Sequence, residues 1–147
     1  HMERAEKLLR AAGYERYEVA SYAKPGFECR HNIAYWTGVP YLGLGRSAAT
    51  MTQNSERRMR KKDGLITDDL NASQMRAEDL MLSMRMAQGV SLEAVKQAQG
   101  FLPRVHETFD ELCTLGLCVC EDGRYKPTEK GWLCGNELYG RIFDLAP

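Results

Sequence analysis

No run of apolar residues in this 147-residue chain comes near the roughly 20 needed to span a bilayer, which excludes a membrane-spanning helix. Neither sign of charge dominates. Twenty basic residues face 20 acidic ones, so the overall balance draws the chain toward neither nucleic acid nor an anionic membrane. Cysteine is sparse and odd in number: Cys29, Cys113, Cys118, Cys120 and Cys134 cannot all pair, and no signal-peptide pattern precedes them. That argues against a secreted disulfide framework and for reduced thiols in a cytoplasmic setting. Histidine is rarer still, with His31 and His106 beyond the leading His1. The length suits one compact domain or two small ones, and chains of roughly 150 residues bury about 70% of their unfolded surface. His1-Met2 reads as a cloning remnant and is set aside. A helical pattern that starts at once from Glu3 implies a natural chain that continues upstream.

What is present is concentrated between Gly13 and Thr50, the one dense run of aromatics. Glu3 to Ala12 spaces Ala5, Leu8, Leu9 and Ala12 as a helix, and Gly13 is placed to end it. Tyr17 to Ala23 alternates as a strand, with Tyr17, Val19 and Ser21 on one face, which predicts an αβ unit of a parallel sheet or barrel. Pro25-Gly26 turns the chain, and His31 to Trp36 predicts a short helical turn closed by Gly38 and Pro40. Tyr41 to Leu44 is a further apolar run ending in Gly43 and Gly45, which would let a ligand or a second backbone come close. The small residues Ser47 to Thr50 suit a ligand wall or tight packing equally. Glu56 to Thr67 predicts a hairpin around Asp63-Gly64. Its basic run Arg57 to Lys62 reads as a solvated, charge-blunted edge strand rather than a phosphate patch.

From Asn71 the pattern becomes helical. Asn71 or Ser73 caps a helix lined by Ala77, Leu80, Met81, Met84 and Ala87 and ended by Gly89. Ser91 caps a second that ends at Gly100, and Pro103 starts a third carrying Val105, Phe109, Leu112 and Leu115 up to Gly116. A strand from Leu117 to Glu121 turns at Asp122-Gly123 and returns over Arg124 to Lys126. Thr128 caps one closing helix with Trp132, Leu133, Leu138 and Phe143. Three helices, a hairpin and a closing helix predict a winged-helix-like arrangement. From Arg104 onward, five basic residues (Arg104, Arg124, Lys126, Lys130 and Arg141) are outnumbered by acidic ones, the wrong sign for a module that must neutralise phosphates.

Tyr14 to Val19, Ala23-Lys24-Pro25-Gly26, His31-Asn32-Ile33-Ala34-Tyr35-Trp36 and Tyr41-Leu42-Gly43-Leu44-Gly45, in this order, resemble the oxygen-independent coproporphyrinogen III oxidase family of radical S-adenosylmethionine proteins. Within it, His-Asn-x-x-Tyr-Trp resembles the HemW branch of haem chaperones. Gly89-Val90-Ser91-Leu92 and Leu115-Gly116-Leu117, Asp122-Gly123, Pro127-Thr128 and Lys130-Gly131 resemble that family's carboxy-terminal domain. Only Met51 to Leu70 falls outside the likeness. The resemblance implies an α+β chain in which residues 3–70 supply the last αβ elements of a radical S-adenosylmethionine barrel with a hairpin. Residues 71–147 would form the helical, winged-helix-like domain.

It also implies a longer protein of porphyrin metabolism, with a four-iron four-sulfur cluster and S-adenosylmethionine, that carries haem or acts as a porphyrinogen oxidase. The family holds its cluster with Cys-x-x-x-Cys-x-x-Cys. Nothing here has that spacing, so the chain alone is expected to hold no cluster and perform no radical chemistry. After the glycine pair, the family's usual His position is Ala49. By the same likeness His31 would ligate haem iron, with Asn32, Tyr35 and Trp36 completing a haem-binding set, and Gly43 and Gly45 would border the S-adenosylmethionine or substrate space. The residues themselves leave open that His31 and Asn32 merely cap a turn while Tyr35 and Trp36 pack inward. The partners implied are haem or porphyrin and the upstream barrel of the same protein, not nucleic acid. An unpaired barrel edge would favour pairing with a second copy. The rival function is a nucleic-acid-binding or protein-interaction winged helix.

Overall fold

The computed structural model describes residues 2–146, and side chains from Arg4 onward; His1 lies outside the described residues. Helix α1 (Met2–Ala11) ends as its glycine requires. Tyr14 N–H donates to the Leu9 carbonyl and Gly13 N–H to that of Arg10, both at 3.0 Å, with Gly13 at φ +80°. This Schellman closure returns two orphaned carbonyls to hydrogen bonds.

The strand expected over Tyr17 to Ala23 does not form. In its place two dipeptides, β1 (Glu15–Arg16) and β2 (Tyr22–Ala23), pair antiparallel around a turn. Tyr17 N–H donates to Ser21 C=O at 3.2 Å and Ser21 N–H to Glu18 C=O at 3.4 Å. The expected alternation fails because Glu18 turns inward, 2% exposed, while Ala20 stays outside. Every strand pair among the described residues is antiparallel, so the parallel αβ unit expected after α1 is absent from them.

Helix α2 (Arg30–Trp36) follows as expected. Then comes a three-stranded meander of β3 (Ala49–Gln53), β4 (Arg57–Lys62) and β5 (Leu65–Asn71) in the order β3-β4-β5. Asp63 and Gly64, at φ +50° and +80°, form the predicted tight turn. Two readings need correction. The small-residue patch opens strand β3, and the Tyr41 to Leu44 run contributes one bridge, Tyr41 to Met51. The basic run is the central strand, not an edge, because β3 supplies a partner that small residues had hidden.

Asn71 caps α3 (Ala72–Ser83) in a capping box with Gln74. The helix ends at Ser83 rather than running to Gly89. Beyond Met84 the backbone leaves it to pair with the Tyr17 turn: Val19 N–H donates to Arg85 C=O at 2.8 Å, and Ala87 N–H to Tyr17 C=O at 3.0 Å. Those long-range bonds outcompete continued helix. Next come β6 (Val90–Ser91), α4 (Leu92–Ala98) with Ser91 as cap, and α5 (Val105–Thr114). The hairpin β7 (Cys118–Glu121) and β8 (Arg124–Pro127) joins β6 in a sheet of order β6-β8-β7.

The single closing helix is instead two, α6 (Glu129–Leu133) and α7 (Gly135–Phe143), bent at Cys134. The bend lets Leu138 and Ile142 reach the interior while Trp132 stays half-buried. Met84, Val95, Leu102, Val105, Phe109, Leu112, Leu138 and Ile142 form one contiguous core. Helix α3 is the seam of the molecule, packed on β4 and β5 on one side and on α4 and α7 on the other.

Candidate functional site

The site is a ledge formed by α2 on the Tyr17 turn. Seven residues make too short a helix to persist alone, so its place depends on tertiary bonds. Trp36 Nε1 donates to the buried Glu18 carboxylate at 3.0 Å, and Asn32 Nδ2 donates to the Tyr17 hydroxyl at 3.0 Å. Residues 32 and 36 share one side of the helix at i, i+4 spacing, and both face the turn. Residues 31 and 35 share the neighbouring side. His31 is exposed and has no hydrogen-bond partner among the described residues. Tyr35 is 46% exposed, its ring edge-on to Trp36 at 5.1 Å and tilted toward Tyr41 at 5.9 Å.

A cleft of 310 Å³ runs behind this ledge, lined by Tyr35, Trp36, Tyr41, Arg60, Glu78 and Arg85 among others. Its floor is an ion network. Arg58, 2% exposed, pairs with Glu78 and, at 2.6 Å, with Asp79; Arg60 reaches Glu78 at 2.9 Å and Asp68 at 3.2 Å. Burial pushes the Glu78 carboxyl up, but the Arg60 and Arg58 hydrogen bonds and charges outweigh it and hold the pKa below the ordinary value. Burial likewise pulls Arg60 down, and Glu78 with Tyr41 overcomes it, so the guanidinium is held more firmly charged. At one end of the cleft the Arg85 guanidinium lies over the Trp36 ring at 5.1 Å and the Tyr139 ring at 4.5 Å.

The expected residues therefore separate. His31, Asn32, Tyr35 and Trp36 come together on α2. Gly43 lies against the chain's own backbone, where an added Cβ would collide with the Ala49 carbonyl oxygen, and Gly45 is exposed at φ +96°. Glu18, Arg58, Glu78 and Arg85 were not singled out beforehand. Arg58 sat inside a run that reads as solvated, and nothing local distinguishes a buried Glu18. Cys113 and Cys118 approach to 3.3 Å across the α5–β7 joint, and burial pushes the Cys118 thiol well above its ordinary pKa. Among the described residues no group of three His, Cys, Asp or Glu side chains could hold a metal ion.

Residues 70–134, from the end of β5 to the α6–α7 bend, match the HemN C-terminal domain. The likeness extends further in particular proteins. The chain is 29% identical over 130 residues to the haem chaperone HemW of Buchnera aphidicola, covering 87% of this chain and 34% of that protein. It is 27% identical over 153 residues to HemW of Bacillus subtilis, covering 90% of this chain and 39% of that one. A segment of 46 residues, 31% of this chain and 12% of its relative, is 50% identical to HemW of Escherichia coli. No solved structure matches the chain. The chain spans 34% and 39% of the length of the Buchnera and Bacillus relatives. The chain is similar to a part of HemW haem chaperones that includes the HemN C-terminal domain.

Proposed function

We propose that this chain handles haem within a HemW-like haem chaperone, and that His31 is the residue that ligates the iron. The observation that carries the reading is the division of labour on α2. Asn32 and Trp36 spend their polar atoms holding the helix, while His31 presents an imidazole with no competing partner and Tyr35 an exposed ring beside it. A neutral imidazole is a suitable axial ligand for haem iron, and a flat ring suits a porphyrin face. Asn32 and Trp36 then belong to the haem site as positioning residues.

The longer protein would supply the radical S-adenosylmethionine barrel and its cluster, with Gly43 and Gly45 near the S-adenosylmethionine or substrate space. Residues 3–70 would pack against that barrel. Residues 71–147 form its winged-helix-like companion, an assignment supported by the helix order and the β6-β8-β7 sheet. A cytoplasmic location accords with this role; no helix among the described residues is long and apolar enough to cross a membrane. The open edges of the β3-β4-β5 sheet are where a second copy would pair. The nucleic-acid reading is disfavoured because Arg57, Arg58 and Arg60 of the basic run are already matched by Asp69, Glu78, Asp79 and Asp68.

A haem titration followed at the Soret band tests the reading. Wild type is expected to give a saturable red shift that His31→Ala abolishes and Tyr35→Ala weakens. An unchanged Soret response in His31→Ala removes His31 as the ligand.

A further inference from the structure

A second cleft, of 590 Å³, opens where α6 meets α7, on the other side of Arg85 from the ledge. Val19, Arg85, Trp132, Gly135 and Tyr139 line it. Two of its lining donors, Arg85 and the Tyr139 hydroxyl, have no oxygen acceptor among the described residues, while Asn136 and Glu137 also line it. Tyr139 is 8% exposed, and its hydroxyl is buried with no hydrogen-bond partner among the described residues. Such an orphaned group is uncommon in folded proteins and calls for a cause.

Arg85 hydrogen-bonds only to the Met81 sulfur, at 3.4 Å, among the described residues, and is otherwise held between the Trp36 and Tyr139 rings. Arg16 stands over the Trp132 ring at 5.3 Å from outside the lining, its guanidinium held by Glu6 at 2.9 Å and the Val19 carbonyl at 2.8 Å. No side chain caps the amino terminus of α7, which points partial positive charge at the same place. The nearby carboxylates are engaged elsewhere: Glu137 accepts from Arg141 at 2.6 Å and Glu18 from Trp36 at 3.0 Å. Burial raises the Tyr139 pKa, with Arg85 and Arg16 partly offsetting it, so the hydroxyl keeps its proton at neutral pH.

We propose that this cleft binds a carboxylate borne by a flat, conjugated acid, with Arg85 and Tyr139 as its hydrogen-bond donors. Arg85 supplies the charge, the rings that flank it supply flat apolar contact, and the incoming oxygen supplies the acceptor that the Tyr139 hydroxyl lacks. The haem reading enters only as the identity of the acid, since haem carries two propionates.

The test uses the full chain and three probes: haem, haem dimethyl ester, and benzoate, followed by absorbance and tryptophan fluorescence. Haem is expected to bind about tenfold more tightly than its ester, the worth of a charge-assisted hydrogen bond, and Arg85→Gln and Tyr139→Phe each should erase that gap. Tyr139→Phe should leave the melting temperature unchanged or higher, because it deletes a buried hydroxyl that has no partner. A merely structural Tyr139 would instead lose stability and leave the haem-to-ester ratio intact. If haem does not bind at all, the haem reading fails and benzoate alone decides the cleft: saturable binding weakened by Tyr139→Phe upholds it. Equal affinity for acid and ester together with no benzoate response, or a benzoate response indifferent to both substitutions, overturns it.

Discussion

The two halves of this molecule hold together by different physics. From Met84 onward, stability comes from a contiguous apolar core in which Phe109, Leu112, Leu138 and Ile142 are completely buried. Before α3, buried apolar side chains are few, Ala23 and Met51 among the described residues, and the burial falls instead on Glu18 and Arg58. The first half is clamped by directed bonds: Arg16 to Glu6, Trp36 to Glu18, Asn32 to Tyr17, and Arg58 with Arg60 to Glu78. It also leaves Phe27, Leu42, Leu44 and Leu65 more than 70% exposed. An apolar core tolerates changes of pH and salt but not of volume. A polar clamp has the opposite weakness, because every unpaired member becomes a buried cost. A binding ledge built on the clamp can be placed precisely without being buried itself.

That contrast can be broken from either side. Phe109→Ala should have the largest effect, roughly 3–5 kcal/mol, from lost transfer energy plus a cavity. Hydrogen exchange should show the loss spread over α4, α5 and α7, with little left of cooperative unfolding. Arg58→Ala should approach it, at about 3 kcal/mol, because it empties an enclosed site, leaves the nearly buried Glu78 with Arg60 alone and takes the closer cation from Asp79. Here exchange should rise first in the β3-β4-β5 sheet while the carboxy-terminal core stays protected. Equal loosening of both halves in both variants would remove the distinction.

Acid gives a subtler probe. Glu78 has a folded pKa held below its ordinary value of 4.5, so its ionised form is favoured by folding. Its contribution is complete above that ordinary value and is lost as pH falls through the lower folded one. Chemical denaturation across that window should show stability declining in wild type, with a shallower decline in Glu78→Gln. Asn71→Ala should cost about 1 kcal/mol through loss of the capping box, seen as a modest fall in melting temperature. His31→Ala should change stability least, because the imidazole touches no partner, and should register in haem binding alone.

Local features of this fold were readable residue by residue. The Asn71-Gln74 box, the Ser91 and Thr128 caps, the Asp63-Gly64 turn and the Gly13 helix end all emerged where their chemistry requires. Each is a bond between near neighbours. The misreadings share one cause, which is that a distant partner decided the outcome. Tyr17 to Ala23 alternates like a strand, yet Arg85 and Ala87 take its backbone bonds and Trp36 draws Glu18 inward. The α3 helix stops early for the same reason. Arg58 sits in a run of cations that looks solvated, and only the arrival of β3 and α3 on either side encloses it. At the site, the grouping of His31, Asn32, Tyr35 and Trp36 came from the family resemblance and the short helix from the residues, but neither told which pair faces out.

The sequence by itself determined where the capped helices begin and where the tight turns fall, because caps, turn residues and hydrophobic spacing act over a few residues. It also carried the motifs in which the chain resembles HemW proteins. Only the tertiary structure decided that β4 is central, that Glu18 and Arg58 are buried, and that Arg85 stands between two clefts. Those outcomes depend on contacts between residues far apart in sequence, as when the Ala87 N–H meets the Tyr17 carbonyl 70 residues away, whose energies no local window contains.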